Sequence, residues 1–107
     1  NWLMSAPIST QILAPGTGAA SSGEFVVGQG RVTAMLTAQL TGADTIALQY
    51  LAHDGTTWLD ARDQAFAGAV NFSTTVNMLQ IDGAGVYRFN RPSIAASVGI
   101  FIRGKNV

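Results

Sequence analysis

The sequence predicts an all-β fold: an antiparallel β-sandwich of about seven or eight short strands, immunoglobulin-like or jelly-roll-like, led by an extended N-terminal arm. Three observations predict it. Apolar and polar residues alternate cleanly through RVTAMLTAQL at 31–40, the period-two signature of a half-buried strand. Glycine-containing turns punctuate the chain at strand-length intervals. No segment of useful length carries the helical period.

The elements follow in order. Ile8–Leu13 is the first strand, closed by Ala14-Pro15-Gly16. The next stretch, GTGAASSGE, has linker composition and reads as a flexible loop; Glu24–Val27 is a short edge strand. In 31–40, Val32, Ala34, Leu36, Ala38 and Leu40 face one way. Gly42-Ala43-Asp44 turns the chain into TIALQYLAH. Asp54-Gly55 then reads as a two-residue type I′ hairpin loop leading into TTWLDA. That loop pairs His53 with Thr56, Leu51 with Trp58 and Tyr50 with Leu59. Further on, VNFSTTVNML reads as one alternating strand with Phe72, Val76 and Met78 on one face. The last two strands lie in IDGAGVYRFNRP and SVGIFIRG. Glycines ahead of Tyr87 fit either a tyrosine corner or a plain turn before a buried aromatic. The expected core is Val32, Leu36, Ile46, Leu48, Tyr50, Phe72, Val76, Tyr87, Phe89, Ile100 and Ile102.

A chain of 107 residues suits a single domain. Residues 1–30 form the arm, first strand and Gly/Ser-rich loop, and 31–107 the sandwich body. Six basic and six acidic residues balance to zero, and charged residues make up only 11%, against roughly a quarter in an average soluble domain. Low net charge favours association and offers no basic field for nucleic acid. Cysteine is absent, which removes disulfides and thiolate metal sites. No apolar run reaches the roughly 18 residues of a membrane span. The opening NWLMSAPISTQ lacks the basic and long apolar regions of a signal peptide.

Residues that carry chemistry are few, and no cofactor is expected. His53 is the single histidine; adjacent strand residues point to opposite faces, so it does not pair with Asp54, which the turn requires. Asp60 and Asp63 flank Arg62, a spacing that fits local ion pairing better than a glycosidase pair. No triad and no phosphate loop is present. The chain therefore reads as non-enzymatic. Arg88, Arg91, Arg103 and Lys105 gather near the C-terminus and read as a local basic rim meeting an acidic partner.

Some apolar residues have no place in a one-sided sheet. Ala47, Leu51 and Trp58 fall on the outer side of their hairpin. Val98, Ile100 and Ile102, against Phe89 and Phe101, pose the same problem, and Trp2, Leu3 and Met4 load the arm. Contiguous apolar patches mark contact sites, so self-association is the expected answer.

DGTTW at 54–58, GAGVYRF at 83–89 and SVGIFIRG at 97–104 together resemble small β-sandwich structural proteins of tailed bacteriophages, over residues 31–103. The resemblance implies a virion protein assembled in the host cytoplasm, of the head decoration or cement type. It implies a homo-oligomer, a trimer, seated on the major capsid protein, with neither nucleic acid nor membrane as partner. Trp2, Leu3, Met4 and Ile8 would contact capsid or neighbour, and Leu51 and Trp58 would contact other subunits. Two readings compete. A carbohydrate- or receptor-binding module would use Trp58 and Tyr50 as stacking platforms with Asp54 and Asp60 on sugar hydroxyls, although their opposite parity argues against one shared sugar. A tail adaptor or tube protein would assemble rings.

Overall fold

The computed structural model describes residues 9–28, 30–62 and 70–104. They form ten strands in two antiparallel sheets: β1 (Ser9–Leu13), β2 (Ala20–Ser21), β3 (Phe25–Val27), β4 (Val32–Leu36), β5 (Ile46–Leu51), β6 (Trp58–Asp60), β7 (Asn71–Phe72), β8 (Met78–Ile81), β9 (Gly85–Arg91) and β10 (Ile100–Gly104). One sheet runs β1-β10-β4-β8. The other runs β2-β9-β5-β6, with β3 also on β9 and β7 also on β5. Most consecutive strands therefore lie in different sheets, and neither sheet forms from a continuous piece of chain.

The inner faces meet in one core. Phe72, Phe89, Ile46, Ile100, Ile102, Val27, Val98 and Leu40 are its most completely buried members. Phe89 stands at its centre, its ring 5.0 Å from Phe72 and 6.0 Å from Phe25 between centroids. Ile100 and Ile102 are buried at 0 and 2% exposure, as the expected core has them, and Val98, read as surplus with them, joins the core at 0% from the connection before β10. Other expectations change. Tyr50, expected inside, is 38% exposed, beside Leu59, its partner on β6, at 44%. Leu36, Val76 and Tyr87 are only partly buried.

Two predicted strands are shorter than their patterns. β4 ends at Leu36, where Thr37 leaves the ladder to bond Gly99 in both directions, N to O at 3.0 Å and Gly99 N to Oγ1 at 2.8 Å. VNFSTTVNML is divided by a turn: Ser73 and Val76 exchange backbone bonds of 3.2 Å, and Ser73 Oγ accepts from Thr75 N at 3.3 Å. Serine and threonine hydroxyls compete for backbone groups in this way. The turn carries the chain from β7 in one sheet to β8 in the other, so Phe72 points inward and Met78 outward.

The stretch read as a flexible loop is held at several points. Ser22 N donates to Phe89 O at 2.8 Å, and Phe89 N returns to Ser22 Oγ at 2.9 Å. A side chain thus replaces a carbonyl in the gap between β2 and β3. Arg91, 6% exposed, donates from Nε to Gly18 O at 2.8 Å and from Nη1 to Ala14 O and Val98 O at 3.0 and 2.8 Å.

Candidate functional site

The DGTTW segment builds its turn differently from expectation. Ala52 N donates to Thr57 O at 2.7 Å and Gly55 N to Ala52 O at 3.0 Å. The loop is therefore four residues, 53–56, with Gly55 at φ 77°, a conformation that favours glycine. Both loops share one midpoint, so the pairs Leu51–Trp58 and Tyr50–Leu59 are as predicted. Asp54 Oδ1 accepts from Thr56 N and Thr57 N, both at 2.9 Å, and Oδ2 accepts the Thr57 hydroxyl at 2.5 Å. The Thr57 hydroxyl first, then the two amides, hold the Asp54 carboxyl down at about 2.

The sign of the resulting pH dependence follows. The folded carboxyl titrates below its unfolded value of about 4, so the bonds favour the folded hairpin at neutral pH and are lost as pH falls through about 2. Carboxyl NMR should place the Asp54 midpoint there, with the Thr56 and Thr57 amides shifting in parallel. A midpoint near 4 would show the turn bonds to be absent in solution.

On the outer face of the six-stranded sheet, Leu51 and Trp58 are half-buried neighbours. The Arg88 guanidinium lies 4.4 Å from the Trp58 ring centroid, within the range of a cation–π contact. Arg88 Nε donates to Gln49 Oε1 at 2.9 Å, and Gln49 Nε2 donates to Asp60 Oδ1 at 3.1 Å. A polar ladder thus crosses β9, β5 and β6, and part of the second apolar face is covered by the chain itself. Tyr50 points to the other side, so the Trp58–Tyr50 sugar platform does not exist. Asp54 is engaged at the hairpin tip.

The four-stranded sheet carries a surface that the sequence reading missed. Register aligns Phe101 with Met35 and Met35 with Met78. The three form a continuous apolar row across β10, β4 and β8 on the outer face. Met78 is 58% exposed, and the other two are half-buried. Only the register brings them together, which is why no local pattern announces the row.

The expected basic rim is not one surface. Arg91 is interior, Arg88 covers Trp58, and Arg103 Nε bonds Ser9 Oγ at 3.1 Å on the other sheet. Trp2, Leu3, Met4, Ile8, Asp63 and Lys105 lie outside the described residues. Among the described residues, no group of three or more His, Cys, Asp or Glu is placed to hold a metal ion. No helix among the described residues is long and apolar enough to cross a membrane. Tyr87 makes the tyrosine-corner bond, its hydroxyl donating to Gly83 O at 2.8 Å. Burial, with the charge of Asp82, raises its phenol pKa above the usual value.

No family model matches the chain, and no curated protein does. Among solved structures, it is similar in fold to the crystal structure of SPBc2 prophage-derived protein YomS. The TM-score is 0.59 at 18% identity, over 96% of this chain and 98% of that one. The likeness spans both chains almost end to end and is one of fold.

Proposed function

We propose that this chain is a non-enzymatic structural protein of a phage particle, a decoration protein that self-associates and binds the head shell. The observation that supports the reading is the end-to-end fold likeness to a prophage-derived protein. The Phe101–Met35–Met78 row on the outer face of the four-stranded sheet supplies a surface for the contacts. Its mechanism is mechanical: each copy adds buried area across junctions between shell subunits. A standard interface of about 1,600 Å² gives specific attachment, and a trimer multiplies it through effective concentration.

Light scattering on the purified chain tests this. A trimer is the expected mass, and Met78→Glu, which places a charge in the Phe101–Met35–Met78 row, should weaken association about tenfold or more. Removal of residues 1–8, which include Trp2, Leu3, Met4 and Ile8, should reduce binding to shells. A monomer at all concentrations that also fails to bind shells would overturn the proposal. A closed ring of more subunits would favour the tail adaptor or tube reading.

A further inference from the structure

β3 lies at an edge of the six-stranded sheet, and the direction of its backbone groups follows from those of β9. Ser22 N donates to Phe89 O and Phe89 N donates to Ser22 Oγ, so Phe89 directs both backbone groups toward the β2–β3 side. These groups alternate in direction along a strand. Tyr87 and Gly85 therefore point the same way as Phe89, and Phe25 and Val27, their partners, bond back to them. Val26 lies between and turns its N–H and C=O outward. Among the described residues, no strand pairs with β3 from that side, and no further backbone bond reaches Val26. Its side chain is equally bare. Phe25 and Val27 are 5 and 1% exposed, whereas Val26 is 62% exposed.

Natural edges are shielded by lysine, proline, bulges or a covering segment. Here the cover stops at Gly23, whose N donates to Ile12 O at 2.8 Å and ties that point to β1. From Glu24 to Gly28 the chain reads EFVVG, without lysine or proline. Glu24, Val26 and Gly28 are exposed, and a Cβ on Gly28 would meet nothing within 4 Å. This stretch is complementary to itself in one register. Two copies aligned antiparallel bring outward groups face to face when centred on Glu24, on Val26 or on Gly28. Centring on Glu24 sets like charges directly opposite, which destabilises a strand pair. Centring on Gly28 opposes two residues without side chains. Centring on Val26 sets valine against valine and each Glu24 against the Gly28 of the other copy, where there is room.

We infer that β3 is a pairing edge for a second copy of this chain, joined antiparallel about Val26 so that two six-stranded sheets become continuous. Main-chain bonds supply the attraction, as in other strand additions, and a two-fold axis relates the copies. So short an edge buries less than the roughly 1,000 Å² of a stable interface. The pair therefore forms between copies already held close, on a particle or at high protein concentration. It uses a surface distinct from the Phe101–Met35–Met78 row and does not rest on the decoration reading.

The chain has no cysteine, so Val26→Cys introduces a sole thiol. In the inferred pair, the two copies of residue 26 stand about 5.5 Å apart between Cα atoms, a spacing that a disulfide spans. Mild oxidation of the concentrated variant should give covalent dimer about tenfold faster than Thr56→Cys at the hairpin tip, because the pair holds its thiols together. Hydrogen exchange tests the unmodified chain. The Val26 and Gly28 amides should exchange more slowly as protein concentration rises. Val26→Pro removes an N–H that no bond within the chain uses, at an edge position where proline is accepted. The fold should remain, and Gly28 should then exchange at one rate at every concentration. Cross-linking no faster than the Thr56→Cys control would overturn the inference, as would Val26 exchange that is independent of concentration or slows only when a different protein is added. Met78→Glu leaves this edge untouched and Val26→Pro leaves the methionine row untouched, so the two readings fail separately.

Discussion

Arg91→Met should lower the unfolding free energy by roughly 3–5 kcal/mol, read as a shift of the urea midpoint with an unchanged slope. The guanidinium supplies three bonds to carbonyls of Ala14, Gly18 and Val98. These oxygens belong to two different connections, β1–β2 and β9–β10, and β9 joins them. Methionine fills much of the volume but donates nothing, so the carbonyls lose their partners, and an unpaired buried group costs about 1–3 kcal/mol. Arg91→Lys separates charge from geometry. An ammonium retains the charge but cannot span the positions that the planar fork reaches, so roughly half the loss should remain. A neutral Arg91→Met would show that water replaces the side chain at no cost.

Gly99→Ala should cost about 3 kcal/mol, at the upper end of the usual overpacking range. A methyl group there would stand 2.6 Å from both Leu13 O and Pro15 N and 2.9 Å from Pro15 Cδ. These are backbone or ring atoms, which no rotamer change can move aside. Gly99 is itself fixed, bonded through both N and O to Thr37. The expected effect is steric and arises in the folded state, so Gly99→Ser should be at least as harmful. Thermal unfolding of the two variants beside wild type measures it. A change within about 0.5 kcal/mol, ordinary for a surface substitution, would show that the end of β1 yields freely.

The fold class was legible because period-two patterning and turn residues are local signals, and the sandwich uses them directly. The hairpin register at Leu51–Trp58 was equally legible, since any symmetric loop centred on Asp54-Gly55 gives the same pairs. What was not legible depends on which strand lies beside which. Val98 looks surplus until β10, which follows it, is placed between β1 and β4. Tyr50 looks internal by parity, yet it lies beside exposed Leu59 near the hairpin end of β5 and is itself 38% exposed. Arg91 reads as one more surface cation because its partners are carbonyls, which leave no trace in a sequence. The apolar row is missed for a related reason: it is built across strands, from residues far apart in the chain. Ser22 is the clearest case, a serine in a glycine-rich stretch that completes the ladder beside Phe89.

The pairing of β1 with β10 sets how the molecule answers a pull. Ser9 lies opposite Arg103, so these two residues stand side by side at one end of a single antiparallel pair. Tension applied through those two points would separate the pair as a zip does, loading one rung of bonds at a time while the others carry nothing. A load pressed on the sheet faces meets the whole core at once. A protein with this wiring is weak as a tether and strong as a tile.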